Sequence, residues 1–258
     1  MNHNITKNFI LNIIPEIPVF AMILGSGLGE INSIIDKKIH IPYSDIPNHP
    51  QTSIKGHAGE WVFGYINEHP IIFASGRFHY YEGFSIEEVT TTVSIIYELG
   101  CQNLFITNAA GCLNLKWNLG DFMLINGYID YTFRKNSNIP ETTLINDNFL
   151  YKKVIKTLIK SDLKIRQGIY AWALGPSYET PSEIQDIILL GGNAVGMSTV
   201  PELMLAIELE MNVIGISCLT NYGAGLLDEK LTHEAIINIT KERKDKFIML
   251  IKKLVQIL

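Results

Sequence analysis

The sequence has few of the residues that form disulfide frameworks, zinc sites or nucleic-acid-binding surfaces. It contains three cysteines, Cys101, Cys112 and Cys218, whose number and spacing fit neither a disulfide framework nor a zinc site. Reduced thiols and a cytoplasmic location are therefore expected. The net charge of −5 argues against nucleic acid as a partner, because nucleic-acid-binding surfaces concentrate basic residues on one face. No spacing of His, Cys and carboxylate residues predicts a metal ion.

A membrane span and a signal peptide are not expected either. The apolar stretch Asn8–Leu24 is interrupted by Pro15, Glu16 and Pro18, and no clear small-residue cleavage site follows it. The pattern instead predicts a surface helix followed by a buried strand, with no membrane partner.

Two catalytic signatures are incomplete. The sequence Gly-Met-Ser-Thr-Val around Ser198 lacks the second glycine of a nucleophile elbow, which argues against covalent catalysis by serine. Glu30 stands where the dinucleotide-binding fingerprint needs a glycine, so the preceding cluster Gly25–Gly29 does not predict a Rossmann-type site.

The chain does contain apolar, β-rich runs that alternate with helical patterns from end to end. This alternation predicts an α/β fold, and 258 residues fit one large domain as well as two. The polar stretch 134–148 predicts a surface loop. Capping-box pairs mark three helix starts, at Ser85 with Glu88 (a helix expected to end near Leu99), at Thr180 with Glu183, and at Thr199 with Glu202.

Six apolar runs each end at a short glycine-rich or polar cluster, and these clusters hold nearly all the reactive side chains. In an open α/β sheet, ligands bind beyond the carboxyl ends of the strands, so the clusters are expected to surround one small molecule. The runs are Val19–Leu24 before Gly25–Gly29, Ile71–Ser75 before Gly76–Gly83, Leu104–Thr107 before Asn108–Gly111, Ile169–Leu174 before Gly175–Glu179, Ala194–Gly196 before Met197-Ser198, and Val213–Leu219 before Thr220-Asn221.

Several of these residues are suited to binding an anion. The glycines of Gly25–Gly29 expose backbone N–H groups, although a simple tight turn explains them equally well. Arg77 and His79 are two positions apart after a strand, so an extended chain points both to the same side. Arginine offers a planar donor fork that matches phosphate oxygens. His57 lies in a glycine-flanked loop, and for both histidines a structural role stays open.

Another group is suited to a heterocycle. Glu179 can accept two hydrogen bonds from adjacent ring N–H groups, and Asn221 can both donate and accept. The alternative for Glu179 is an acidic residue placed near a helix N-terminus by the helix dipole, and for Asn221 a turn former. Tyr81, Tyr178 and Met197 can form apolar walls or pack in the core.

Taken in order, the clusters identify a family. The chain resembles the trimeric purine nucleoside phosphorylases, which favour 6-oxopurine nucleosides. The resemblance implies one α/β domain over residues 1–258, with a mixed, partly barrel-like sheet flanked by helices and assembled as a homotrimer. The matching stretches are Gly25–Gly29, Gly56–Gly59, Gly76–Gly83, Thr107–Asn114, Gly175–Glu183, Gly191–Glu202, and Thr220-Asn221 with Thr232-His233-Glu234.

The resemblance also implies an activity and roles for residues. It implies phosphorolysis of inosine or guanosine, with inorganic phosphate as co-substrate and no cofactor or metal. Residues implied to hold phosphate are Ser26, His57, Arg77, His79, the Ala109 backbone and Ser198. Residues implied to hold the nucleoside are Tyr81, Met197 and His233 at the ribose, and Tyr178, Glu179 and Asn221 at the base. His79, Glu179 and Asn221 are expected to be catalytic.

Some positions depart from the family pattern. Cys112 replaces a usual glycine, Tyr178 stands where Phe is common, and the loop between Tyr131 and Tyr151 is shortened, with Phe149 as its candidate aromatic residue. Related methylthioadenosine phosphorylases carry Asp at the position of Asn221, which favours a 6-oxopurine here. Xanthosine, methylthioadenosine and a non-catalytic nucleoside-binding role remain as alternatives.

Overall fold

The computed structural model describes residues 3–25, 27–47, 49–51, 58–134, 140–145, 149–159, 165–227 and 243–257. Its helices are α1 (His3–Leu11), α2 (Ile86–Val89), α3 (Thr91–Glu98), α4 (Phe149–Ile159), α5 (Pro181–Leu189), α6 (Val200–Glu208) and α7 (Lys244–Val255). Short 3₁₀ turns occupy Gly29–Ile34, Tyr43–Asp45 and Tyr80–Glu82. In these ranges, no helix combines the length and the apolar character needed to cross a bilayer.

Ten strands form one mixed sheet. They are β1 (Phe20–Ile23), β2 (Asp36–Pro42), β3 (Glu60–Ile66), β4 (His69–Ser75), β5 (Asn103–Cys112), β6 (Phe122–Asp130), β7 (Thr142–Leu144), β8 (Ile165–Trp172), β9 (Ala194–Gly196) and β10 (Asn212–Tyr222). Their order is β10-β6-β8-β9-β5-β1-β4-β3-β2, and β7 pairs with β6. The predicted surface loop over 134–148 therefore contains a short strand.

An additional pairing closes part of this sheet. Strands β5 and β10 run parallel from the pair Asn103 and Asn212 to the pair Cys112 and Tyr222. Because β10 also pairs with β6, and β9 with both β8 and β5, five strands form a closed ring. Strands β1, β4, β3 and β2 extend from β5 as an open wing. The fold is thus α/β with a mixed, barrel-like sheet flanked by helices, as the family resemblance implies.

The apolar runs are continuous because the strands are buried on both faces. Successive side chains of a strand point to opposite faces. In β1, Ala21 and Ile23 pack in one core while Phe20 and Met22 pack in another, and β4 alternates in the same way. A third, smaller core lies where α5 packs on the strands of the ring. Helices α3 and α6 contact each other, and α6 also contacts β10, so α6 is held firmly against the barrel.

Two of the three predicted capping boxes are present. Ser85 accepts a hydrogen bond from the Glu88 N–H, and Thr180 accepts one from the Glu183 N–H. The helix that starts after Ser85 is broken at Thr90 into α2 and α3, and α3 ends at Glu98 as expected. The third helix, α6, starts directly after Thr199 as predicted, but the Thr199 side chain makes no cap hydrogen bond.

Polar clusters lie at the ends of the predicted strands, with one systematic difference. The two clusters Asn108–Gly111 and Thr220-Asn221 lie inside β5 and β10, which run further than their apolar sequences indicate. Backbone pairing between the two strands carries them through these polar residues. Polar residues therefore lie within the paired part of both strands at this end of the sheet.

An aromatic cluster supports the turn that follows β4. The His49 ring lies 4.3 Å from the Tyr43 ring and 5.9 Å from the Phe78 ring, and Trp61 Nε1 is 3.4 Å from His49 Nε2. Tyr43 donates a hydrogen bond of 3.0 Å to the Gly76 carbonyl. Burial lowers the pKa of His49 to about 4, so this imidazole is neutral at physiological pH.

We expect His49 to make the fold acid-sensitive. Its folded-state pKa lies below its unfolded value, so stability is complete above about pH 6.5 and falls as the pH drops toward 4. Between pH 7 and pH 5 the loss from this group is about 2 kcal/mol. Urea unfolding of the His49→Gln variant should show a correspondingly weaker pH dependence. The matched variant at the exposed His69, His69→Gln, should keep the wild-type slope, and equal slopes in all three proteins would refute the assignment.

Candidate active site

One cavity of about 350 Å³ lies where the polar clusters meet. Residues from the turn after β4, from β5 and β10, and from the segments after β8 and β9 line it together. The lining residues are Arg77, His79, Tyr81, Asn108, Ala109, Ala110, Gly111, Pro176, Tyr178, Glu179, Val195, Gly196, Met197, Ser198, Thr220, Asn221, Gly223 and Ala224.

Arg77 is the principal cation of this cavity. Its side chain is almost fully buried, and its Nη1 donates a hydrogen bond of 3.0 Å to Ser198 Oγ. Glu202 approaches the other edge of the guanidinium, with Nη2 and Oε2 3.0 Å apart and Nε and Oε1 3.3 Å apart. Burial raises the pKa of Glu202, and the positive charge of Arg77 opposes that rise. The pair places a charged, directed donor beside the Ser198 hydroxyl.

The segment that joins β9 to α6 has a strained backbone at Thr199. Its φ of 76° and ψ of −47°, with a Val200 N–H to Ser198 carbonyl bond of 2.9 Å, define a γ-turn that β-branched residues rarely adopt. The Thr199 hydroxyl accepts a 2.9 Å hydrogen bond from Asn108 Nδ2. The Glu202 carboxylate accepts a hydrogen bond from the Thr199 backbone N–H, which is one of the two bonds of the predicted capping box. The side chains of Thr199 and Glu202 both contact Arg77.

His79 stands beside the arginine and is held by a neighbouring carboxylate. Its Nδ1 lies 3.1 Å from Glu82 Oε1, and its backbone N–H donates to the same oxygen at 2.9 Å. Because a carboxylate oxygen only accepts, Nδ1 carries the proton, and Nε2 is the other hydrogen-bonding atom. The Tyr81 ring stacks on the imidazole at 4.9 Å. Burial lowers the pKa of His79, while the bond to Glu82 opposes that shift.

Glu179 supplies an acceptor on the cavity wall. It precedes the capped start of α5, in the turn that follows β8. Its Oε1 is buried and has no hydrogen-bond partner within the described part of the chain. Burial raises the pKa of the Glu179 carboxyl. A buried carboxylate oxygen without a partner is costly, so this oxygen is suited to a ligand N–H.

A β-bulge orients Asn221. The register between β10 and β5 shifts between Leu219 and Asn221, so Thr220 is the extra residue. The Thr220 hydroxyl lies 3.0 Å from Asn221 Oδ1, to which it can donate, and Asn221 Nδ2 donates to the Tyr222 carbonyl at 3.1 Å. These two contacts set which way the amide faces, leaving an acceptor lone pair and a second N–H on the side chain.

Two glycines allow close packing at and beside the cavity. A Cβ at Gly175, where φ is 72°, would lie 2.5 Å from Met197 Sδ and 2.9 Å from Tyr81 Cδ1, so only glycine lets these two side chains close the wall. A Cβ at Gly25 would lie 2.7 Å from Asn108 Cα, so this glycine permits close packing of β1 on β5.

The described candidate residues converge as the sequence predicts. Arg77, His79, Tyr81, Ala109, Tyr178, Glu179, Met197, Ser198 and Asn221 all line the one cavity. Ser26, His57 and His233 lie outside the described residues, as does the side chain of Phe149. Cys112 continues β5 as a buried residue whose Sγ lies 3.4 Å from the Asn114 carbonyl oxygen.

For the glycine cluster after β1, the sequence leaves an anion loop and a tight turn as alternatives. The Gly25 N–H donates to Thr107 Oγ1 at 3.1 Å, and the Leu28 N–H donates to the Gly25 carbonyl. These two donors are engaged within the protein, and neither Gly25 nor Gly27 is among the described residues that line the cavity. The tight turn is the better interpretation for this backbone.

Sequence reasoning gave no site role to Glu82, Asn108, Thr199 or Glu202. Glu82 had a local signal, because it lies three residues after His79. Glu202 lies three residues after Thr199, a spacing that indicates a helix cap and gives no sign of a contact with Arg77. Within the described ranges, no group of three or more His, Cys, Asp or Glu residues can hold a metal ion. The arrangement instead offers oxyanion donors together with an acceptor and an amide for a polar ring.

Comparison with known proteins shows which family the chain is similar to. The model of the phosphorylase superfamily matches residues 19–256. Purine nucleoside phosphorylase 1 of Geobacillus stearothermophilus is 40% identical over 258 residues, covering 96% of this chain and 94% of that protein. The protein of the same name from Bacillus subtilis is 37% identical over 257 residues, covering 96% and 95%. The crystal structure of Schistosoma mansoni purine nucleoside phosphorylase in complex with inosine has a TM-score of 0.88 at 30% identity, covering 100% of this chain and 96% of that one.

We expect the Glu82→Gln substitution to lower the pKa of His79 further. Glu82 favours the protonated imidazole through its hydrogen bond and its charge, so its neutral replacement leaves burial and the positive charge of Arg77, which both lower the pKa, without this opposition. An NMR titration of the imidazole nitrogens measures this shift directly. The Glu87→Gln substitution removes the same charge from an exposed position and should leave the titration unchanged. An unaltered or raised pKa in the Glu82→Gln variant would contradict the assignment.

Proposed function

We propose that this chain, which belongs to the phosphorylase superfamily as a purine nucleoside phosphorylase, cleaves 6-oxopurine ribonucleosides and deoxyribonucleosides with inorganic phosphate. The products are the free base and ribose or deoxyribose 1-phosphate. One observation carries the proposal: Arg77 and Ser198 line the same cavity as Glu179 and Asn221. The oxyanion and the base therefore have separate sets of partners within reach of one nucleoside.

Phosphate is assigned to the part of the cavity around Arg77. The guanidinium, the Ser198 hydroxyl and the Ala109 backbone all offer donors there. His79 adds either an acceptor for a protonated phosphate oxygen or, when charged, another donor. Ser26 and His57 complete the proposed phosphate set.

The reaction then follows from placement and charge. A phosphate oxygen forms a bond to C1′ of the sugar as the bond from C1′ to N9 of the purine breaks. Positive charge grows on the ribose in the transition state, and the adjacent phosphate dianion stabilises it. The proton of hydrogen phosphate ends on the departing purine, so atoms and charge balance. Tyr81, Met197 and His233 are the residues assigned to hold the sugar.

Base selectivity is assigned to Glu179 and Asn221. The Glu179 oxygen that has no partner among the described residues is an acceptor, which suits the N1–H of a 6-oxopurine. A 6-aminopurine has no proton at N1, so two acceptors would face each other. Asn221 is assigned to N7, where its hydrogen bond relieves the negative charge of the leaving base, and Tyr178 to stacking on the ring. Schistosoma purine nucleoside phosphorylase forms complexes with inosine and with guanosine, which supports this class of base, and also with adenosine, so selectivity in this chain is assigned from Glu179 and Asn221.

Xanthosine remains the main alternative substrate, because the same two groups can bind its base. Methylthioadenosine is disfavoured by Asn221, and a non-catalytic binding role by the oxyanion donors, which a simple nucleoside-binding protein does not need. The proposal includes no cofactor, a homotrimeric assembly, a cytoplasmic location and a role in purine salvage.

Phosphate dependence tests the reaction class. Purified protein should release hypoxanthine from inosine only when inorganic phosphate is present, with ribose 1-phosphate formed in equal amount. Cleavage without phosphate would indicate a hydrolase, and no cleavage in either condition would support the binding role. Chromatographic quantification of both products distinguishes the three outcomes.

Substitutions of the two residues assigned to the purine base test the base selectivity. Each of Glu179→Gln and Asn221→Ala should lower kcat/KM for inosine by roughly 10- to 100-fold, since a hydrogen bond to a charged or developing charged group contributes about 1.5–3 kcal/mol. Asn221→Asp should in addition raise the ratio of adenosine to inosine cleavage, because its carboxylate accepts from a 6-amino group and repels a 6-oxo group. The exposed Glu208→Gln variant on α6 is the control. Near-normal inosine kinetics in the first two variants would show that the base binds elsewhere.

A further inference from the structure

The ion pair between Arg77 and Glu202 is more elaborate than charge neutralisation requires. Both oxygens of Glu202 face the guanidinium, Oε2 at 3.0 Å from Nη2 and Oε1 at 3.3 Å from Nε. The exposed fractions of the two side chains are only 2% and 1%. Such a side-on pairing fixes the plane of the guanidinium as well as its position. A long, flexible arginine side chain thereby presents its donors in one direction.

The position of the Glu202 carboxylate is itself fixed by the backbone turn that precedes α6. Glu202 lies in the first turn of α6, which begins immediately after the γ-turn at Thr199. Asn108 donates to the Thr199 hydroxyl, and the same hydroxyl lies 3.4 Å from Arg77 Nη1. The strain of a positive φ at a β-branched residue persists only where the surroundings enforce it. Here the enforced turn places the Glu202 carboxylate and the Ser198 hydroxyl on the same guanidinium.

We propose that Glu202 is a positioning residue for the phosphorolytic reaction, and that Thr199 is its partner in this role. Glu202 sets the direction in which Arg77 offers its donors to the oxyanion, and the γ-turn at Thr199 sets where Glu202 stands. Neither residue touches the substrate in this scheme. The inference rests on the proposed function, because it assumes that the oxyanion at Arg77 is phosphate.

Two simpler roles make different predictions. If Glu202 only balanced the charge of Arg77, removing its charge would strengthen phosphate binding, because a negative group near the anion would disappear. If Glu202 were only structural, its loss would lower thermal stability without a selective change in phosphate kinetics. A positioning role requires weaker phosphate binding both when the charge is removed and when the carboxylate is moved.

The experiment uses the variants Glu202→Gln and Glu202→Asp in the full chain. The first keeps the size of the side chain and removes its charge, and the second keeps the charge and draws the carboxylate back by one methylene. In both, the KM for phosphate should rise about 10- to 100-fold while the KM for inosine changes less than about threefold, since a displacement near 1 Å is enough for such losses. Asp121→Asn is the matched control. It breaks another close arginine–carboxylate pair, in which Arg166 Nε lies 2.8 Å from Asp121 Oδ2, and should leave both KM values unchanged, because neither residue is among the described residues that line the cavity.

A lower KM for phosphate in Glu202→Gln, with an unchanged one in Glu202→Asp, would overturn the inference in favour of charge balance. Unchanged KM values for phosphate in both would overturn it in favour of a structural role.

If these variants do not fold, Thr199 supplies the same test. Thr199→Val replaces the hydroxyl by a methyl group and should raise the KM for phosphate. Thr199→Ser keeps the hydroxyl, so its KM for phosphate should stay closer to the wild-type value. Equal values in the two Thr199 variants would also refute the inference.

A separate readout distinguishes failure of this inference from failure of the proposed function. Inorganic phosphate alone should raise the melting temperature of the wild type, and this increase should be reduced in Glu202→Asp at the same phosphate concentration. A wild type that cleaves inosine with phosphate while the variants keep normal phosphate kinetics defeats the inference only. A wild type that binds phosphate without cleaving any nucleoside defeats the proposed function only, and the thermal shifts then decide the role of Glu202.

Discussion

The buried pair of Arg77 and Glu202 is the interaction on which the rest of the site depends. Removing two charges from water is expensive, and a buried ion pair is favourable only when its geometry is good and its other polar atoms are satisfied. Here Ser198 and Thr199 supply those further contacts, and Asn108 holds Thr199 in turn. The network accounts for a positive φ at a β-branched residue, a conformation that would otherwise be avoided. It also keeps the positive charge of Arg77 inside the protein, where it can attract an anion.

Closure of the sheet is what brings the other groups to this pair. Because β5 pairs with β10 and also with β9, the ends of these strands meet around one space. The extra residue at Thr220 then turns the Asn221 amide in a way that regular pairing would not allow. An open sheet with the same strands would spread these groups along an edge. The barrel is therefore part of the chemistry, since it sets which residues share a cavity.

Sequence patterns predicted much of this arrangement for identifiable reasons. Continuous apolar runs marked the buried strands, and reactive residues after them marked the cavity, because parallel strands place their carboxyl ends together. Sequence patterns were not sufficient where a local pattern had two physical explanations. Thr199 and Glu202 match a capping box, yet their side chains serve Arg77. The cluster Gly25–Gly29 matches an anion loop, yet the Gly25 N–H is bonded to Thr107 and the residue itself allows close packing on β5.

By itself the sequence determined the α/β class, the positions of the main strands, the three helix starts and which reactive residues follow the strands. These features depend on periodicity and on contacts within a few residues, which a linear pattern records. Only the tertiary structure decided how the sheet closes, which way Asn221 faces and what Glu202 does. Arg77 and Glu202 lie 125 positions apart, so their pairing depends on packing of whole elements that no local pattern encodes.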